Sequence, residues 1–239
     1  MPAAGTTTVF TPRDAGCWEV SSLDFRIKIY FTSVWPDYRF RLVRRLPHLH
    51  TKQTIREAHT TFRRHLASKP DEKRQRDASI LQHTLKALDH FDALGSEISA
   101  YHPLRTEPAA ADYPLQLAQH ARTVWLPISL PGGVLQWAAC AEEQQPGALG
   151  IAEPVGSRFS SEVLKGCAAL VIPALAVDRR GQRLGKGAGY YDRALEQVRD
   201  HRIPIVAVVF DEEVVDTLPA QPHDVPVDAI VTDRGFFQL

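Results

Sequence analysis

Residues 167–178 read CAALVIPALAVD, a near-continuous apolar run. A strand with one face in water alternates apolar and polar side chains. A run without alternation therefore belongs to a strand covered on both faces, the usual setting of a parallel sheet. IPIVAVVF at 203–210 has the same character. No other feature constrains the chain as strongly, because two doubly buried strands require helices on both sides of one sheet.

The remaining pattern supplies those helices. TKQTIREAHTTFRRHLA (51–67) sets Ile55, Ala58, Phe62 and Leu66 at helical spacing. SKPDEKRQRDASILQHTLKALDHFDAL (68–94) opens with Ser68, Pro70 and acidic residues, which suit a helix start, and carries an apolar stripe of Ile80, Leu81, Leu85 and Leu88. EISAYHPL (97–104), TVWLPISL (123–130), VLQWAAC (134–140) and VDAIVTD (227–233) read as strands. YPLQLAQHA (113–121), GYYDRALEQVRDH (189–201) and, as a turn or two, DEEVVDTL (211–218) read as helical. Strands alternating with helices predict an α/β domain with a mainly parallel sheet and right-handed crossovers, spanning 51–239. Residues 1–50 stand apart. FRIKIYF alternates like a strand and RFRLVRR (39–45) is basic, but the segment lacks helix caps and hairpin glycines. It reads as a poorly ordered extension or a mis-assigned start rather than a basic docking arm.

Between the apolar run and the next helix lies RLGKGAGYYDRAL, 183–195. Open α/β sheets place ligands beyond the carboxyl ends of their strands, where this segment must fall. Gly185, Gly187 and Gly189 let backbone N–H groups approach a ligand, and a helix start offers unpaired amides to an anion. Arg183 and Lys186 add positive charge, and Asp192 supplies the hard oxygen that Mg²⁺ prefers. The P-loop pattern fails, since three residues separate Gly181 from Gly185 and Gly187 follows the lysine. The dinucleotide fingerprint and G-x-S-x-G fail as well. The residues by themselves specify a phosphate loop with a metal-binding acid, against the plainer alternative of a tight turn that needs glycines.

Composition removes several classes. Lys plus Arg and Asp plus Glu are 28 each, so net charge gives no support for a nucleic-acid partner. No apolar run nears the roughly 18 residues that span a bilayer. Three cysteines without a CxxC pair fit a reducing compartment, and the ten histidines form no zinc spacing. A cytoplasmic protein that acts on small molecules, as a monomer and without a membrane partner, is the expectation.

LVIPALAVDRRGQRLGKGAGYYDRAL resembles the hallmark segment of 5-formyltetrahydrofolate cyclo-ligases, also called methenyltetrahydrofolate synthetases. TKQTIREAHTTFR, ISAYHPLRTEP, GIAEPVG (150–156) and LPAQPHDVPVDAIVTD resemble further segments of that family in chain order, covering 51 to 239. The resemblance implies a ligase that cyclises 5-formyltetrahydrofolate to 5,10-methenyltetrahydrofolate with ATP and Mg²⁺, releasing ADP and phosphate. Lys52, Arg56 and the stretch Arg183, Leu184, Gly185, Lys186, Gly187, Ala188, Gly189, Tyr190 and Tyr191 would hold ATP. Arg56, Glu107, Lys186, Gly187, Gly189 and Tyr190 would touch the folate, Lys186 and Arg183 would act in catalysis, and Asp192 and Asp224 would ligate Mg²⁺. Tyr190, Trp125 or Trp137 could face the flat pterin, although strand-core roles suit the tryptophans better. The chain departs from the family in having Lys186 where arginine is common, Ala188 where glycine or a basic residue is common, and PAAADY after Glu107.

Overall fold

The computed structural model describes residues 9–13, 17–22, 25–30, 51–147, 152–220 and 224–239. The chain divides into two compact units, residues 1–43 and 44–239. In the first, strands β1 (Val9–Arg13), β2 (Cys17–Ser22) and β3 (Phe25–Tyr30) form an antiparallel sheet in which position 18 is in register with positions 12 and 29. The third of these is the strand expected at FRIKIYF.

The second unit begins with helix α1 (Lys52–Ala67), capped by Thr51, whose hydroxyl accepts from the Thr54 N–H at 3.2 Å. Its buried face is Ile55, His59, Arg63 and Leu66. This differs from the expected apolar stripe: Ala58 is exposed, and two polar side chains take the inner positions. Helix α2 (Pro70–His90) starts at its proline as expected. Ser68 ends α1 instead of starting α2, and its hydroxyl donates to the His65 carbonyl at 2.7 Å. Ile80 and Leu88 are fully buried.

Seven strands build the main sheet: β4 (Glu97–Ser99), β5 (Thr123–Leu130), β6 (Val134–Ala139), β9 (Ala169–Pro173), β12 (Ile205–Val208), β14 (Ala229–Val231) and β15 (Phe236–Gln238). Their order is β15-β14-β12-β9-β4-β5-β6. The five central strands are parallel, and β6 and β15 run antiparallel at the edges. Helix α3 (Tyr113–Ala118) precedes β5, and α4 (Tyr190–Glu196) precedes β12. Val171, Val206 and Val208 enter one apolar cluster with Ile80 and Leu88, while Leu170, Ile172, Ile205 and Ala207 enter another with Ala194 and Leu195. Both faces of β9 and β12 are thus covered, as their unalternating sequences require.

Several elements depart from the sequence expectation: β4 ends at Ser99 instead of running to 104, β14 covers only Ala229–Val231 of 227–233, and three others differ more. The run 167–178 is not one strand: it breaks after Pro173, where Ala174 and Leu175 turn the chain into β10 (Ala176–Asp178). This strand joins β11 (Arg183–Leu184) and β13 (Val214–Val215) in a separate small sheet. Both halves are buried, but by different sheets, so apolarity alone did not mark the break. DEEVVDTL forms one 3-10 turn at Asp211–Glu213 and then β13, because the β-branched pair Val214–Val215 pairs with β10. Helix α4 ends at Glu196, short of the expected 201. A short antiparallel pair, β7 (Gln144–Pro146) and β8 (Ala152–Pro154), completes the unit. Among the described residues no helix is long and apolar enough to cross a membrane.

In chain order the five parallel strands lie as second, first, third, fourth, fifth. The order reverses between β4 and β9. Chain leaving the carboxyl ends of these two neighbours diverges and opens a crevice, the general ligand position of such sheets.

Candidate active site at the sheet switch point

Two segments leave that crevice. From β9 the chain passes through the β10–β11 hairpin into the glycine loop; from β4 it turns through Tyr101 and Leu104 to Glu107. The hairpin is held by Asp178, which is wholly buried. One of its carboxylate oxygens accepts the N–H groups of Arg180 (2.9 Å) and Gln182 (3.0 Å), and the other accepts the Leu218 N–H at 2.9 Å. Gly181 sits at φ 80°, and a Cβ there would lie 2.4 Å from the Val227 carbonyl oxygen. Only glycine fits that turn.

The loop that follows is tied on every side. The buried Arg183 donates from Nη2 to Asp192 Oδ1 at 2.7 Å. The Gly185 carbonyl accepts from Arg56 Nε at 3.0 Å. Gly187 and Gly189 take φ values of 104° and 70°, in the positive region that favours glycine, and Gly185 does not. Lys186 Nζ meets Glu107 Oε1 at 2.6 Å across the switch point. Glu107, buried, accepts the Leu104 N–H on its other oxygen at 2.9 Å. Lys52 Nζ reaches Asp224 Oδ2 at 3.2 Å, joining the start of α1 to the C-terminal stretch. Three ion pairs, Lys186–Glu107, Arg183–Asp192 and Lys52–Asp224, and the Arg56 bond to Gly185 thereby tie together all seven of these expected side chains. Glu107, expected from the resemblance alone, faces the lysine expected from the loop.

The tryptophans lie elsewhere. Trp137 is core, with Nε1 donating to Ser161 at 3.1 Å, and Trp125 Nε1 donates to Glu97 at 3.0 Å. The half-buried Tyr190 stays at the loop, its hydroxyl donating to the Leu130 carbonyl at 3.1 Å. Tyr191, the next residue, has a buried hydroxyl. Burial raises that hydroxyl's pKa, nearby Glu107 raises it further, and Arg183 opposes. His223 and residues 150–151 of the Glu-Pro element fall outside the described residues.

Under the loop is a dry polar layer that motif reading missed. Arg63 donates from Nε and Nη2 to the two carboxylate oxygens of Glu213 at 2.6 and 2.8 Å, and from Nη2 to the Ala174 carbonyl at 2.5 Å. Glu213 also accepts the Phe210 N–H at 2.9 Å. Burial works against the guanidinium's charge, and the Glu213 carboxylate outweighs it and holds its pKa above the ordinary value. His59, one turn away, is pushed down to about 4 by burial and by the Arg63 charge, so it is neutral at physiological pH. The one available signal was spacing: 55, 59, 63 and 66 form a helical stripe, and apolar counting discards its two polar members.

Chemically, the loop's Arg183 and Lys186, with Lys52 and Arg56 of α1, offer positive charge to a polyanion, and all but Arg183 are at least partly exposed. Among the described residues no cluster of three or more His, Cys, Asp or Glu side chains surrounds a common point. Mg²⁺ bound with a nucleotide needs no such cage, since one or two carboxylates and the phosphate oxygens suffice. Asp192 and Asp224 fit that donor set.

The sequence model of the 5-formyltetrahydrofolate cyclo-ligase family matches residues 48–233. A 5-formyltetrahydrofolate cyclo-ligase of Mycolicibacterium smegmatis is 34% identical over 200 residues, covering 79% of this chain and 97% of that protein. Among solved structures, the 5,10-methenyltetrahydrofolate synthetase of Aquifex aeolicus superposes with a TM-score of 0.62 at 28% identity, over 78% of this chain and 92% of that one. The corresponding synthetase of Mycoplasma pneumoniae shares the fold, with a TM-score of 0.60 at 22% identity over 77% and 99% of the two chains.

Proposed function

The chain belongs to the 5-formyltetrahydrofolate cyclo-ligase family, and on that premise we propose that its glycine loop binds ATP with Mg²⁺ and that the crevice beside Glu107 takes the reduced folate. The observation that carries this reading is the gathering of Arg56, Arg183 and Lys186 at one loop at the switch point, with Lys52 one helical turn before Arg56 on α1, in a chain of zero net charge. Folate and ATP are both polyanions, so attraction must come from such a local cluster. The domain that does this work is residues 51–239, acting as a monomer in the cytoplasm.

A formamide carbonyl is a weak electrophile whose oxygen leaves poorly. Transfer of the ATP γ-phosphoryl group to that oxygen breaks the bond to the β-phosphate, releases ADP and converts the oxygen into part of a good leaving group. The folate N10 then attacks the activated carbon and loses its proton, and the C–O bond breaks to release phosphate and the 5,10-methenyl product. No protein nucleophile is required. Lys186 leaves Glu107 to meet the γ-phosphate, and the loop amides of Gly187 to Gly189 approach the phosphate oxygens unobstructed by side chains at the two glycines. Arg183, held by Asp192, adds charge to the same group, while Lys52 and Arg56 help to hold ATP, Arg56 from its bond to the Gly185 carbonyl. Asp192 and Asp224 would hold Mg²⁺, which when bound neutralises charge on the transferring phosphates. Glu107, relieved of Lys186, turns its carboxylate to the folate.

The test is near-UV absorbance as the protein meets 5-formyltetrahydrofolate, ATP and Mg²⁺, because the conjugated methenyl product absorbs there. A rise that requires all three is expected. Product formed without ATP, or none with all three present, overturns the reading.

A further inference from the structure

Helix α4 carries one long side chain in its first turn that the proposed reaction leaves without a role. Side chains near a helix start lean back toward the N-terminus, and Arg193 does so along the loop. Its Nη2 donates to the Ala188 carbonyl at 2.7 Å. From the same planar head, Nε donates to the Gly133 carbonyl at 2.8 Å. Gly133 belongs to the tip of the β5–β6 hairpin, the 3-10 turn Pro131–Gly133. Tyr190 ties the same tip through Leu130, so the first turn of α4 grips two carbonyls of the hairpin.

The geometry at Gly133 shows how closely this head is seated. Gly133 has φ 75°, and a Cβ there would lie 1.6 Å from Arg193 Nη2 and 2.6 Å from its Cζ. Ala188, whose carbonyl is held, stands between Gly187 and Gly189, the two residues of the loop in the left-handed region. Glycines have the widest backbone freedom, so a loop hinged on both sides of Ala188 requires an outside restraint to keep its amides aimed. Arg193 is itself exposed, so its removal opens no hole in the core.

Resting on the cyclo-ligase reading above, we propose that Arg193 is a positioning residue: its planar guanidinium locks the phosphate-binding loop to the β5–β6 hairpin tip and so presets the loop for MgATP. Two fork-shaped bonds from one head are what arginine can make and lysine cannot. Preorganisation of this kind acts on binding by removing the cost of ordering the loop. The effect therefore belongs in KM for MgATP, with KM for the folate nearly unchanged.

The experiment compares wild type, Arg193→Ala, Arg193→Lys, Gly133→Ala and the Arg193→Ala/Gly133→Ala double variant in the absorbance assay, with thermal unfolding followed in parallel. Absence of ATP-dependent turnover in wild type would remove the cyclo-ligase reading itself, whatever the variants do. With wild type active, Arg193→Ala is expected to raise KM for MgATP about tenfold, a change of about 1.4 kcal/mol. The expected folate KM stays within about twofold. Arg193→Lys keeps the charge and loses the fork, so it should show the same defect. Gly133→Ala displaces the guanidinium without touching position 193, and it should add little to KM once Arg193 is gone, the signature of one shared interaction. Wild-type kinetics in Arg193→Ala, full rescue by lysine, or parallel loss of both KM values and of melting temperature would each overturn the proposal.

Discussion

Two ion pairs, Arg63–Glu213 and Lys186–Glu107, have the same chemistry and opposite surroundings. Arg63 and Glu213 are sealed below the loop, 3% and 0% exposed. Lys186, in the loop, is 53% exposed and meets a Glu107 that is 9% exposed. A sealed pair cannot exchange partners, because water does not replace either charge and the unpaired ion is costly. A half-open pair holds its geometry weakly and releases its lysine to a stronger anion at little expense. Access to water, rather than residue type, separates scaffold from site here, and α1 serves both: it sends Arg63 inward to Glu213, Arg56 to the loop at Gly185 and Lys52 to Asp224.

Removing one partner from each pair tests that contrast. Glu213→Ala leaves Arg63 buried and uncompensated, and should lower unfolding free energy by about 3–5 kcal/mol in urea titrations. Adding Arg63→Met to it should recover part of the loss, since the cost lies in the stranded charge. Lys186→Ala should do the reverse, reducing turnover about 10²–10³-fold while the urea midpoint stays close to wild type. A large stability loss in that variant would erase the distinction between the regions.

Protonation offers a third probe of the dry layer. His59 has its pKa lowered from 6.5 to about 4 in the folded protein. The unfolded chain therefore binds more protons at this position between those values, and stability must fall as pH drops through that window. The full loss is about 3 kcal/mol. His59→Gln should flatten that part of a stability-versus-pH curve. At the small end, the fully surface pair Arg199 and Glu196, 48% and 55% exposed, should tolerate Glu196→Gln within about 0.5 kcal/mol by the same titration.

Much of this arrangement was legible before any coordinates. Period and apolarity placed β5 and the doubly covered β9 and β12, because those segments bury what their own sequence displays, and placed α1 as a helix although not its buried face. The glycine loop announced itself through Gly187, Gly189 and Lys186, and the family resemblance supplied Lys52, Glu107 and Asp224. What stayed hidden depends on partners far away in sequence. Nothing in PALAVD tells that Leu175 will pair with Leu184 and end β9 early. Arg63 and Glu213 are 150 residues apart, and each reads alone as a surface charge. Asp178 and Gly181 look like an ordinary polar turn until Val227 is brought against them.

The spacing of those partners has a consequence for how the molecule comes into being. Helix α1 is made early, yet the acid that lets it bury Arg63 comes 150 residues later, and the acid that meets Lys52 comes 172 residues later. Contacts of such long range are formed only after most loop-closure entropy has been spent, and they slow folding. During synthesis α1 must therefore wait, amphipathic and unpacked, until β12 and the turn after it have emerged. The loop, its cations and their acids come together in one late step. A nascent chain has no complete version of this site, and a chain that lacks the turn carrying Glu213 leaves Arg63 of α1 without its acid.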